Sequence, residues 1–552
     1  MLVNGKAITK LQGVVILVVI VAAIGGVYFV ARPSAPPEST STTEMTSAVA
    51  NPTKIFTTAE DYDFVTDIDP AYSFSGEIVA MANVYEGLLV YTGGNPEVKP
   101  SLATSYDATP DGLTWTFKLR EGVKFHDGTP FNATAVKYSF DRIRELGAGA
   151  VYIWDPVKEL KIIDTYTVQY TLSYAAPLQR IVSSVYGAWI YSPNINKTGD
   201  IKDLHDWFNA GHDAGTGPYM FETLERGVQL TLTYFGDYWE GWGGPHAADR
   251  IAKVVFKIVE DPAVRVQMIE SGSVQHAAAI PAQERKRIQN ETGIRVSWEN
   301  TYFSHYAFLN TQSPNLKDKL VRQAISYAFP YQDYIITGEG SYIQPRGAIP
   351  TGMWGHIDDL YQYQLNLTKA KELLTQAGHP NGGFKLIYYY ISGVEATGSA
   401  GQLWKAELAK LGIELDVRGM TWPSLWELMK QGPDKYNYDI VAFAWWPTFI
   451  TPYDFMFNMW HTEKTPLWNA AYYYNPQYDQ LIDEAYKLEG PQPDQALKLY
   501  KQAQQVLIDD AATVFLDDLR LAFVMRSNVQ GFQYHAAIGY DTFVFWEMWL
   551  ES

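Results

Sequence analysis

Past residue 54 the hydrophobic positions follow two alternating rhythms. Trp115, Phe117 and Leu119 recur every second residue, as do Val228, Leu230, Leu232 and Tyr234, which predicts strands with one buried face. Residues 386–391 and 440–446 are unbroken apolar runs, the pattern of strands covered on both faces. Between these lie helical spacings: Val136, Phe140 and Ile143; Ala370, Leu373, Leu374 and Ala377 ahead of Gly378; and Leu481, Ile482, Ala485 and Leu488. The interleaving predicts α/β layers with open sheets. The roughly 500 residues past residue 54 that follow this pattern predict at least two lobes, with ligands bound in a crevice between them or at the sheet edges.

The N-terminus follows another pattern. Residues 14–31 carry no charge, and at about 1.5 Å rise per residue they can just cross a bilayer core as one helix. Lys6 and Lys10 precede the run and only Arg32 follows it closely, so residues 1–13 are expected in the cytoplasm and everything after Arg32 outside. A removable signal is the competing reading, and Lys6-Ala7-Ile8-Thr9 resembles a pilin-like processing site that would leave the helix in place. Residues 32–53 are rich in Ser, Thr and Pro, cannot bury enough apolar surface to order themselves, and read as an extended stalk. The expected location is therefore a cell membrane, single-pass, with the main module exterior. Sequons at Asn132, Asn196, Asn290 and Asn366 are compatible with that location but expected by chance in a chain of this length.

Composition narrows the function. Forty-three Lys+Arg against 61 Asp+Glu give a net charge of −18, which offers no basic surface for nucleic acid. There is no Cys, hence no disulfide, thiolate metal site or cysteine nucleophile. Phosphate-loop, dinucleotide, zinc-protease and nucleophile-elbow motifs are absent from the sequence, and His205 and His212 are too far apart for an i, i+4 metal pair. The acidic pairs Asp509-Asp510 and Asp517-Asp518 are neighbours in sequence, which rarely converge on one bond as a glycosidase pair must, and Asp509-Asp510 reads as the solvated end of an amphipathic helix. No cofactor, metal or catalytic residue is expected. What stands out is an aromatic excess: 17 Trp, 38 Tyr and 25 Phe make 14% of the chain.

Specific strings carry a resemblance. In order they are Asp67-Ile68-Asp69-Pro70, Val84-Tyr85-Glu86-Gly87-Leu88, Trp115-Thr116-Phe117-Lys118-Leu119-Arg120, Phe125-His126-Asp127-Gly128-Thr129-Pro130, Gly215-Thr216-Gly217-Pro218-Tyr219, Phe308-Leu309-Asn310-Thr311, Val321-Arg322-Gln323-Ala324-Ile325 and Asn475-Pro476-Gln477-Tyr478-Asp479. Together they resemble the family 5 extracellular solute-binding proteins, the peptide- and oligosaccharide-binding components of ABC importers, over about residues 65 to 485. The resemblance implies a two-lobed, class II periplasmic-binding-protein-like fold. Lobe I would comprise 54–84, 186–276 and 518–552, with a subdomain inserted at 85–185. Lobe II would be 277–517, with chain crossings near 275–281 and 514–519. A small-molecule ligand, permease and ATPase partners and a monomeric state are implied too. By themselves, the turn at Asp127-Gly128-Thr129-Pro130 and the glycines of Gly215-Thr216-Gly217 read as scaffold.

The same resemblance implies an Asp a few residues after a Trp to hold a peptide's ammonium, and an Arg earlier in the second lobe for its carboxylate. Here Thr448 stands where the Asp is expected, and no Arg accompanies residues 388–395. Aromatic rings pack on sugar C–H faces, so an oligosaccharide is the first expectation for the ligand, with an oligopeptide or dipeptide as the alternative. Trp445 and Trp446 end a buried strand and point to opposite faces, so at most one should reach the ligand and the other should lie in the core. Thr448, Tyr72, Phe74, Phe303, His305 and Tyr389 complete the candidate set. A tethered glycoside hydrolase and a non-transport sensory or adhesion module remain as readings of other classes.

Overall fold

The computed structural model describes residues 52–551 except 92–96, 196–200, 433, 434, 436, 463–467 and 540. The expected membrane segment at 14–31 and all but the end of the stalk lie outside the described residues. Among the described residues no helix is long and apolar enough to cross a membrane.

The rhythms read from the sequence become regular elements. The period-two stretches form Thr114–Leu119 and Gln229–Tyr234, and the apolar runs form Lys385–Ile391 and Ile440–Trp445. Lys385–Ile391 runs parallel to both Glu414–Met420 and Ile440–Trp445, and its two faces pack into different cores, Leu386 and Tyr388 in one and Tyr389 in the other. The helical spacings become Ala133–Leu146, Leu367–Gln376 and Pro476–Leu488, and a further helix, Pro493–Asp510, follows the last of them. Two sequon asparagines cap helices, Asn132 accepting from Thr134 N and Asn366 from Lys369 N.

Eleven strands form one sheet. In spatial order they are Glu414–Met420, Lys385–Ile391, Ile440–Trp445, Ile294–Leu309, Thr513–Arg526, His276–Ala277, Lys54–Glu60, Ile251–Ile258, Gln229–Tyr234 and Tyr219–Glu225, with Tyr342–Ile343 paired onto Thr513–Arg526 off this path. Ile294–Leu309 and Thr513–Arg526 run antiparallel along most of their lengths and carry the sheet from one core to another. Val514 and Leu516 pack in a cluster with Leu386 and Trp404; Phe523 and Met525 pack with Phe56 and Phe256. Between these cores the ladder is irregular. Asn300 pairs with Arg520 and Ser304 with Asp518, so residues 301–303 bulge out opposite Leu519.

A separate four-stranded antiparallel sheet is built from Ala103–Ala108, Thr114–Leu119, Thr167–Leu172 and Val157–Asp164. Glycine sets a close approach where Gly215 passes Val84 and Tyr85: a Cβ on Gly215 would sit 1.9 Å from the Val84 carbonyl oxygen. Gly128 takes φ +80° in the turn after His126.

Candidate functional site

The bulge and the end of an adjacent strand meet at a cavity. Phe303 lies on the bulge, and Trp446 directly follows Ile440–Trp445, the strand that pairs with Ser304 to Leu309. The two rings stack with centroids 5.5 Å apart and planes within 6°. The Trp446 indole N–H donates to Tyr186 Oη at 2.8 Å, and the Phe74 ring meets Tyr186 edge-on at 5.4 Å. These groups border a cavity of about 460 Å³, lined on one side by Tyr62, Ile78, Val79 and Tyr186 and on the other by Phe303, His305, Tyr342, Glu395 and Trp446.

The alternation of a strand separates the two tryptophans, as their spacing predicts. Trp446 lines the cavity. Trp445 is 7% exposed, packs on Trp468 and donates its N–H to Asp454 Oδ2 at 3.1 Å. Asp454 also accepts from Thr448 N at 3.1 Å, and burial pushes its carboxyl up to about 7. The Thr448 hydroxyl meets the Tyr152 hydroxyl, and its carbonyl accepts from Ser184 Oγ at 2.6 Å. Thr448 is therefore held by protein groups on both its side chain and its backbone.

The same wall continues away from the cavity. Ile450 N donates to Tyr91 Oη at 3.0 Å, Tyr91 Oη donates to the Arg180 carbonyl at 2.7 Å, and Arg180 Nη1 donates to Glu489 Oε2 at 2.6 Å. Both partners of that ion pair are nearly excluded from solvent, and the Arg180 guanidinium lies 4.1 Å over the Trp354 ring. Tyr91, Tyr152, Arg180 and Ser184 thus join the segment around the small sheet to residues 448–489.

The remaining candidates divide. Phe303 and His305 line the cavity, His305 with Nδ1 3.0 Å from Asp517 Oδ2. Phe74 contacts it through Tyr186. Tyr72 lies elsewhere, its ring 4.3 Å from that of His205, which sits near Asp67 and Asp69. Tyr389 is buried among Tyr306, Phe308 and Trp445, and its hydroxyl accepts from Arg418 Nη1 at 3.0 Å. The strand pairing that sets Tyr389 opposite Arg418 supplies an Arg that sequence reading did not see. That Arg is bound to Asp416 at 2.7 Å and does not line the cavity. Asp517 and Asp518 diverge: Asp517 serves His305 and Tyr334, Asp518 serves Ser304 and Thr351. Sequence reasoning missed Tyr186, Tyr342 and Glu395 altogether, because each reaches the cavity from an element remote in sequence.

Comparison with known proteins decides the family. Residues 97–467 match the family model described as bacterial extracellular solute-binding proteins, family 5, middle. The chain belongs to this family. It is 31% identical over 449 residues to the probable D,D-dipeptide-binding periplasmic protein DdpA of Escherichia coli K12, covering 80% of this chain and 83% of that one. It is 26% identical over 486 residues to the glutathione-binding protein GsiB of Escherichia coli O1:K1, covering 86% and 90%. Among solved structures, the ABC transporter-associated periplasmic binding protein DppA of Helicobacter pylori, in complex with the peptide STSA, superposes with a TM-score of 0.77 at 26% identity, over 92% of this chain and 99% of that one. The family 5 fold is accordingly two-lobed with mixed α/β content, and its members are binding proteins of the periplasm or cell exterior. The first expectation for the ligand needs correction: these relatives are named for peptides or glutathione, and none of the three for a saccharide.

Proposed function

We propose that this protein captures a short peptide in the cavity bordered by Tyr186, Phe303 and Trp446 and delivers it to an ABC-type importer. The observation that carries the reading is the combination of peptide-named relatives covering most of the chain with a cavity of about 460 Å³ at the change of core. That volume falls within the roughly 300–1,000 Å³ usual for small-molecule sites. Aromatic walls suit apolar side chains of a peptide as well as they suit sugar faces, so the aromatic excess fits this ligand too. Phe303, Trp446 and His305 are the expected contacts, with Tyr186 opposite them.

The lobes divide, in this reading, as the motif order implies, with 85–185 inserted into the first. Closure would bring Tyr152, Arg180 and Ser184 onto residues 448–489. The run at 14–31 and the stalk after it support a tether that keeps the module near its permease.

Thermal unfolding of the purified chain against panels of peptides and oligosaccharides tests the reading. A ligand at a hundred times its dissociation constant adds about 2.7 kcal/mol to stability. Stabilisation by peptides and not by saccharides is the expected result; stabilisation by saccharides alone would sink it.

A further inference from the structure

The peptide anchors implied by the family are absent here: Thr448 is tied to Tyr152, Ser184 and Asp454, and Arg418 is tied to Asp416. The cavity nevertheless has a definite electrical character. Its wall presents the rings of Tyr62, Tyr186, Phe303, Tyr342 and Trp446, and no Lys or Arg is among the described residues that line it. The Trp446 N–H is already engaged by Tyr186, so Trp446 offers the cavity its ring rather than a donor. Ring faces attract cations, by about 0.5–2 kcal/mol per well-placed ring and more strongly out of water.

One carboxylate completes this lining. Glu395 opens the helix Glu395–Ala409, so its side chain stands at the positive end of the helix dipole. It makes no hydrogen bond or ion pair with any described residue. Glu395 and Tyr342 also line the adjoining groove of about 940 Å³, so a chain leaving the cavity passes both. That groove does contain Arg265 and Arg285, but both guanidinium groups donate to backbone carbonyls, Arg265 to residues 259, 260, 278 and 279 and Arg285 to Ile280.

An exposed Glu in a first helical turn is ordinarily a solvated residue that stabilises its own helix. Three features set this one apart: an aromatic cavity beside it, no Lys or Arg in the lining of that cavity, and a groove that leads past it. We propose that the cavity selects an ammonium group of the bound peptide, held against the aromatic wall with Glu395 as its counter-charge. The proposal rests on the peptide reading above. It moves the recognition of charge from the 448 position to the start of the helix at 395. The ammonium can come from the peptide's α-amino group or from a lysine side chain.

Calorimetric titration of the purified chain and of Glu395→Gln with three matched tetrapeptides separates these cases: one N-acetylated and lacking Lys, one with a free amino group and lacking Lys, and one N-acetylated with a single Lys. The native chain should bind one of the two cationic peptides at least tenfold more tightly than the neutral one, and which one identifies the source of the ammonium. Glu395→Gln should remove most of that preference while leaving affinity for the neutral peptide within about threefold and thermal stability unchanged. Equal binding of all three by the native chain, or a preference that survives in Glu395→Gln, would overturn the inference while leaving the peptide reading intact. Binding of none of them, together with binding of saccharides, would overturn the peptide reading and the ammonium site with it.

Discussion

Two patches that begin at neighbouring tryptophans handle their polar groups in opposite ways. On the Trp445 side, neighbours close on partners within the protein: the indole and Thr448 N on Asp454, Thr448 on Tyr152 and Ser184, and Arg180 Nη1 on Glu489. On the Trp446 side, the one indole N–H is capped by Tyr186, aromatic rings dominate the wall around open volume, and Glu395, unpaired among the described residues, stands at its edge. The contrast teaches that aromatic content alone does not mark a binding site. The decision lies in whether the polar atoms around a ring are matched inside the protein or left for something else to match.

Breaking the closed patch should have the largest effect. Arg180→Met leaves the Glu489 carboxylate buried without its counter-charge, which should lower stability by about 3–5 kcal/mol in denaturant unfolding; Glu489→Gln in the same chain should recover part of it. An unchanged unfolding midpoint would mean that the patch does not hold these segments together.

Acidity should sharpen the contrast next. The Asp454 carboxyl, near 3.8 in an ordinary setting, is raised to about 7 by burial, so the folded chain holds a proton there that the unfolded chain has lost. Stability from this group is therefore greatest at low pH, falls as pH rises from about 4 to about 7, and is flat above. Glu86 and Glu60, also raised to about 7 chiefly by burial, add slopes of the same sign. Asp454→Asn should flatten the profile by roughly 2–4 kcal/mol across that window, at about 1.4 kcal/mol per pH unit; a profile as steep as the native one would count against an interior Asp454.

Smaller effects should separate the two tryptophans. Trp445→Phe loses one buried hydrogen bond and should cost about 1 kcal/mol of stability while leaving ligand affinity alone. Tyr186→Phe removes the acceptor for Trp446 and should weaken ligand binding by about threefold to tenfold with little change in melting temperature, on the scale of one hydrogen bond.

Much of the scaffold was legible in the sequence because its causes are local. Period-two spacing follows from the pleat, which is why Trp115, Phe117 and Leu119 fall on one buried face and why Trp445 and Trp446 part company. The glycines at 215 and 217 advertised a close backbone approach, and the family strings supplied the order of elements. The site was less legible because it is assembled across the fold. Tyr186 sits in an irregular stretch with no periodicity to mark it, yet it meets a residue 260 positions away. Arg418 reaches Tyr389 only through strand pairing, and the bulge at 301–303 that presents Phe303 follows from pairing against Leu519 rather than from any turn residue. Tyr72 and Tyr389 were attractive as aromatics near strand ends, but one stacks on His205 and the other fills a core.

The central claim is that the aromatic cavity beside Trp446 is the place where a peptide binds. Calorimetric titration of the native chain and of Trp446→Ala, each with the peptide that most stabilises the native chain, tests it most directly. The account predicts a loss of affinity of tenfold or more in Trp446→Ala with the melting temperature nearly unchanged. Equal affinity in the two proteins would contradict it.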